Sequence, residues 1–313
     1  MKLKRIYFLL ALILALALAG CGKDDEAAPK ETDAKKSGDS YTVVDDRGVE
    51  ITFDKVPETV ISLQPSNTEI LFELGVGDKV IGVTDYDKWP EEVQNIEKVS
   101  DTINVNLERV IELNPDVVFA YTMGGEEQVE QLESAGLKVF VIQSASSIED
   151  VYGDIGQIAQ VMGVEDKGKE LVEKIKDQFA AIKEKTDQIK QKKKVYFEIA
   201  PAPDIWSIGS GTFQQELIEA AGVENIYADQ QGWFSVTEED LINRNPDAII
   251  TTVYHAENPA EEIKSRQGWE SVTAIKNGDV YELNADILDR PGPRIAEAVE
   301  LIAKTIYPEL FAK

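Results

Sequence analysis

The sequence predicts an α/β protein of two similar α/β lobes joined by one long backbone helix, on three observations. From residue 41 onward short apolar segments alternate with amphipathic ones, the pattern of βαβ units on largely parallel sheets. A segment that runs through Asn-Pro-Asp into an apolar stretch occurs twice, at residues 114–116 and 245–247. Between the two copies lies a polar-rich stretch with one apolar stripe and neither Pro nor Gly after Gly168.

Taken in order, Val60-Ile61-Ser62-Leu63 reads as a short buried strand. Ser66-Asn67-Thr68-Glu69 has the form of a capping box opening a helix to Leu74, which Gly75-Val76-Gly77 stops. Residues 80–83 are the next strand. Residues 107–113 read as a helix broken by Pro115, and 117–120 as a strand. A helix over 128–135 ends at Gly136, and 139–142 is a strand.

The second half repeats this grammar. Residues 107–118 align with 238–249, and Ile70-Leu71-Phe72-Glu73-Leu74-Gly75-Val76 aligns with Leu217-Ile218-Glu219-Ala220-Ala221-Gly222-Val223. Two features repeated in the same order imply two related lobes. In the stretch between them, Leu171, Val172, Ile175, Phe179, Ile182 and Ile189 form one stripe on a helix over about 165–192. Such a helix would span about 40 Å. The expected division is a first lobe over 41–163, a linking helix over 164–192 and a second lobe over 193–313.

The first residues determine the compartment. Met1-Lys2-Leu3-Lys4-Arg5 is basic, and residues 6–19 are an almost pure Leu/Ala/Ile run, too short for a comfortable membrane span. It closes with Leu18-Ala19-Gly20-Cys21, which resembles a bacterial lipobox with Cys21 as the lipidated first residue of the mature chain. Residues 1–20 are therefore expected to be a lipoprotein signal peptide. Residues 21–40, which carry no large apolar side chain beyond the cysteine, are expected to be a flexible tether. Cys21 is the only cysteine, which excludes an intrachain disulfide or a cysteine metal cluster.

The chain is long enough for two ordinary domains, and its 43% apolar content is that of a globular protein. Its formal charge is −26, and removal of Lys2, Lys4 and Arg5 makes the mature chain more acidic still. Such a surface argues against nucleic acid and against binding an anionic membrane face. Membrane attachment is expected through the lipid alone.

Leu63-Gln64-Pro65-Ser66-Asn67-Thr68-Glu69-Ile70, Asn106-Leu107-Glu108-Arg109, Gln267-Gly268-Trp269 and Arg290-Pro291-Gly292-Pro293-Arg294 resemble the ABC-importer binding proteins for cobalamin, haem and iron–siderophores. The resemblance covers residues 41–313. It implies a ligand cleft between the lobes, limited hinge motion, and delivery of cargo to a permease dimer with a cytoplasmic ATPase. Within this family the chain is most similar to cobalamin binders. Gly82-Val83-Thr84-Asp85-Tyr86-Asp87-Lys88-Trp89-Pro90 matches their first-lobe loop and puts Tyr86 at a corrin-contacting position. Tyr121 falls where they carry a tryptophan, and Trp206 and Trp233 fall on aromatic contacts. Asp286 and Arg290 match a polar pair that binds corrin amides. The pattern departs at Thr102, where another tryptophan would stand.

A corrinoid is a broad disc with an apolar body and an amide-studded rim. Aromatic faces from two lobes can cover it, and Asp with Arg can orient the rim. Core packing is the commoner fate of a large aromatic. It is the expectation for Trp269, while Trp89 stands between core and ligand. Tyr86, Tyr121, Trp206 and Trp233 are expected in loops after strands, where α/β clefts lie. The corrinoid is cargo, and no cofactor is expected.

Glu108 and Glu239 occupy equivalent places in the repeats, each in the first turn of a short helix. A carboxylate there is favourable in itself. The resemblance implies that one glutamate on each lobe engages arginines of the permease. An iron–siderophore ligand would call for several convergent cations, and the candidates are Lys88, Arg266 and Arg290. A haem site needs an axial ligand such as Tyr254 or His255. An exported metallo-enzyme is the alternative of a different class. His255 is the only histidine, and neither a zinc motif nor a nucleophile–base constellation is visible, Gly209-Ser210-Gly211 reading as a loop. A purely structural surface protein would leave the paired glutamates and the cleft aromatics unexplained.

Overall fold

Two sheets organise the computed structural model, which describes residues 40–101, 104–121 and 126–312, all within one compact unit. The expected signal peptide, most of the expected tether and Cys21 lie outside these residues, as does Thr102. A hairpin of β1 (Tyr41–Val44) and β2 (Glu50–Phe53) leads in. The first sheet holds β3 (Val60–Ser62), β4 (Val80–Thr84), β5 (Glu97–Ser100), β6 (Val117–Tyr121) and β7 (Val139–Ile142). It is wholly parallel, in the order β5-β4-β3-β6-β7. Every residue of β3 and β7 is buried, as parallel strands covered on both faces require.

The second sheet is mixed. Its strands are β8 (Lys194–Ala200), β9 (Trp206–Ile208), β10 (Glu224–Asn225), β11 (Trp233–Ser235), β12 (Ala248–Thr251) and β13 (Val280–Glu282). β8, β12 and β13 run parallel, and β10 pairs parallel with β8. β9 and β11 are antiparallel additions beside β8. Trp206 and Trp233 therefore begin strands rather than standing in loops. Short aromatic segments of high strand propensity have paired onto an open sheet edge.

The repeat has a physical basis. Helices α1 (Pro65–Glu73), α2 (Leu107–Leu113), α3 (Glu126–Ser134), α4 (Ile148–Val161), α5 (Glu165–Thr186), α6 (Phe213–Ala220) and α7 (Glu238–Arg244) follow in chain order. In α2 the side chain of Asn106 accepts from Arg109 N, and in α7 that of Thr237 accepts from Asp240 N. Asn114 and Asn245 end these helices in the left-handed region, at φ 46° and 48°. Asp116 Oδ2 then accepts from Glu58 N and Thr59 N, and Asp247 Oδ2 from Lys194 N. Asn-Pro-Asp thus caps a helix, blocks its continuation and anchors the next strand, once per lobe. Gly75 and Gly222, both at positive φ, end α1 and α6 through the same pair of backbone hydrogen bonds.

The linking helix α5 stops at Thr186, short of the expected residue 192. Gln188 N and Ile189 N bond three residues back, to Lys185 O and Thr186 O, so the chain tightens out of the α-helix. At 22 residues the helix is about 33 Å long. Leu171, Ile175 and Ile182 of its stripe are buried. They join a single apolar cluster that includes Ile70 and Ile155 on one side and Phe197, Leu217 and Ile302 on the other. One core therefore runs through both lobes and the strut, with smaller clusters on the far faces of each sheet.

The box at residues 66–69 is not a cap. Pro65 at the first helical position starts α1 earlier, with Gln64 as N-cap and no side-chain capping bond. Ser66 to Glu69 are buried within the helix, and Glu69 is committed to an ion pair. The capping box lies instead at Ser147 and Asp150, opening α4, a helix the sequence reading passed over.

Candidate functional site

The C-terminal ends of parallel strands are where open α/β sheets bind ligands. In the first lobe β4 ends at Thr84, and the next turn is locked from below. Asp87, buried, accepts from Thr84 N at 2.8 Å and Thr84 Oγ1 at 2.6 Å. Burial pushes its carboxyl up from the ordinary value, against the pull of these hydrogen bonds. Tyr86 N in turn donates to Thr84 Oγ1. The turn is thereby fixed while its aromatic tips stay open. Tyr86 is 43% exposed and Trp89 47%. Tyr121 closes β6 at the same end of the sheet, and its side chain lies outside the described structure.

In the second lobe Trp206 pairs with Ala200 at the C-terminal end of β8. Trp233 lies opposite Ile208 on the next strand. Trp206 is 41% and Trp233 54% exposed, whereas Trp269 is wholly buried and donates its Nε1–H to Glu238 at 2.7 Å. Three of the chain's four tryptophans therefore keep about half of their surface in solvent. Large aromatic surface left open at strand ends suits a ligand rather than a core.

α8 (Pro259–Lys264) and α9 (Thr273–Asn277) precede β13. α10 (Ala285–Leu288) follows it and carries Asp286, and α11 (Ile295–Ile306) begins just after Arg294. Asp286 and Arg290 pair at 2.5 Å. Both are also tied to the first lobe. Arg290 Nη2 donates to the Tyr86 carbonyl at 2.8 Å, and Lys88 Nζ lies 3.5 Å from Asp286. Arg294 forms a fork on Glu69 of α1, Nε to Oε2 at 2.8 Å and Nη2 to Oε1 at 2.6 Å. Arg290 Nη1 stands 3.6 Å from the same carboxylate, buried and without a hydrogen-bond partner. The Arg294 guanidinium lies 5.3 Å from the Trp89 ring, within cation–π range.

Burial pushes the Glu69 carboxyl up, and the two guanidinium groups oppose it. Burial lowers Arg294, but the Glu69 hydrogen bonds and the charges of Glu69, Glu297 and Asp286 together hold the group above its ordinary value. Glu69, expected as the last residue of a capping box, and Arg294, named only among the residues that carry the family resemblance, were not expected at the site.

Arg266, expected as a basic cleft residue, is elsewhere. It forms a fork on Glu198 at 2.7 and 2.8 Å beneath Trp269, where both charges are buried. Tyr254 is 69% exposed beyond the end of β12, edge-on to His255. Glu108 and Glu239 are exposed in the first turns of α2 and α7, with no ion pair recorded for either among the described residues. Among those residues no group of three or more His, Cys, Asp and Glu is placed to hold a metal ion. None of their helices is long and apolar enough to cross a membrane.

The chain is similar to several known proteins. Residues 60–287 match the family described as periplasmic binding protein. YvrC of Bacillus subtilis (strain 168), an ABC transporter substrate-binding lipoprotein, is 39% identical over 307 residues, 96% of each chain. A vitamin B12-binding protein of Salmonella paratyphi A is 34% identical over 249 residues, 79% of this chain and 89% of the relative. Among solved structures, a possible iron-binding (periplasmic solute-binding) protein of Staphylococcus epidermidis superposes with a TM-score of 0.74 at 34% identity, covering 81% of this chain and all of that one.

Proposed function

The chain belongs to the periplasmic binding protein family, and we propose that its cargo is cobalamin or a related corrinoid. It is the substrate-binding component of an ABC transporter of the type that handles B12, haem or siderophores, a carrier of solute rather than an enzyme. The observation that carries the ligand reading is the set of half-exposed aromatics, Tyr86 and Trp89 on one lobe and Trp206 and Trp233 on the other. Together they offer flat apolar surface from two sides at little cost in side-chain entropy, which suits a disc-shaped ligand. Tyr121 is assigned to the same face from the resemblance, and Asp286 and Arg290 to the amide rim.

The seam charges favour a ligand of low net charge. Arg290 and Arg294 are neutralised by Glu69 and Asp286, and Lys88 also leans on Asp286. A ferric catecholate would need those cations free. Haem is the second reading, favoured by the exposed Tyr254 beside His255. The same reading assigns residues 1–20 as a signal peptide, Cys21 as the lipid anchor on the outer face of the cell membrane, and Glu108 with Glu239 as the permease contacts.

Incubation with an equimolar mixture of cyanocobalamin, haem and a ferric siderophore, followed by gel filtration, tests the ligand reading. The expected outcome is a corrin absorption spectrum eluting with the protein. A haem or ferric spectrum in its place overturns the corrinoid assignment and leaves the transport role intact.

A further inference from the structure

Glu69 is 2% exposed on a helix whose residues 65–71 are all buried. A carboxylate there has lost its hydration and persists only because guanidinium groups replace it. A buried pair of this kind is weak evidence for stability, since well-packed apolar residues do as well. Nor do the lobes need it to stay together, because one apolar core already runs through both along the strut. The pair therefore calls for an explanation in geometry.

That geometry is specific. Arg294 and Arg290 come from the second lobe and Glu69 from the first, and the same two arginines reach the loop that carries Tyr86 and Trp89. Lys88 extends the seam to Asp286. Gly292, between the arginines, rests against α1. A Cβ placed there would stand 3.5 Å from Ser66 Cα and 3.7 Å from Glu69 Oε2. The charges thus tie α1 and the 86–89 loop of the first lobe to the 286–294 segment of the second.

We propose that Glu69, with Arg294 and Arg290, is an inter-lobe clamp that fixes the aperture of the cleft in the empty protein. Resting on the reading of that cleft as the ligand site, Glu69 and Arg294 are positioning residues. They set the separation of the 86–89 loop from Trp206 and Trp233, and they hold Arg290 in place. Weakening the clamp widens the cleft and lowers ligand affinity by removing preorganisation.

The test is the distribution of distances between spin labels on Glu130→Cys and Lys276→Cys, one exposed site on each lobe. It is measured by electron–electron resonance in the chain from Lys36 onward, which has no native cysteine. Glu69→Gln is expected to shift the ligand-free distribution to longer, broader separations and to raise the cyanocobalamin Kd about tenfold. Arg294→Lys, which keeps the charge but loses the fork, is expected to lie between Glu69→Gln and the native chain. An unchanged distribution in folded Glu69→Gln overturns the clamp; if that variant does not fold, an unchanged distribution in Arg294→Lys does so. Failure of the native chain to bind cyanocobalamin sinks the ligand reading alone, because the distance measurement needs no ligand.

Discussion

Trp206 and Trp233 lie on the same face of the second sheet. The antiparallel register sets Trp206 opposite Ser235 and Trp233 opposite Ile208, so the two residues are diagonal neighbours on one face, their Cα atoms roughly 7–8 Å apart. Both remain about half exposed. Residues distant in sequence are thus joined into one platform by strands that exist only because they pair.

A shared platform makes the two indoles energetically coupled. Trp206→Ala and Trp233→Ala are each expected to weaken cyanocobalamin binding by about 1–2 kcal/mol, and the double variant to depart from additivity. Calorimetric Kd values for the four proteins check this. Strict additivity would mean that the indoles do not share one ligand face.

Glu108 and Glu239 are exposed at matching places on the two lobes, whereas the adjacent Glu238 is occupied by Trp269. Reversing both charges to Arg is expected to abolish uptake in cells while leaving the ligand Kd unchanged. Transport assays beside calorimetry separate the two effects. Normal uptake by the double variant would remove the docking assignment.

Asp154 on α4 is buried, and burial, reinforced by Asp46 and Asp150, pushes its carboxyl from 3.8 up to about 8. Between those values the unfolded chain has released the proton and the folded protein has not. The group's contribution to stability is therefore full below the lower value and is lost as pH rises through about 8. Asp154→Asn is expected to flatten this dependence and to be the more stable protein at pH 9, by on the order of 1–3 kcal/mol. Denaturant midpoints at pH 4, 7 and 9 measure it.

Trp269 is the contrasting tryptophan, packed edge-on to Tyr196 in the outer cluster of the second lobe. Trp269→Ala is expected to cost about 3–5 kcal/mol of folding stability. Ligand affinity, measured below the melting temperature, should not change.

Much of this was legible in the sequence because it is local. The extents of α2 and of β7 follow from Asn, Pro and Gly punctuation and from apolar runs, and the repeat is a property of the chain itself. The misreadings have non-local causes. Ser66 to Glu69 have the spelling of a cap, but Pro65 starts the helix first and Arg294, far along the chain, claims Glu69. β9 and β11 are each three residues long, defined by cross-strand pairing rather than by periodicity. Arg266 looked available for a cleft because no local signal places Glu198 beside it.

The most direct test of the corrinoid assignment is a calorimetric titration of the chain from Lys36 onward with cyanocobalamin. The expected result is saturable one-to-one binding that Trp233→Ala and Arg290→Ala both weaken. An absence of heat with cyanocobalamin, in a preparation that haem or a ferric siderophore saturates, would contradict it.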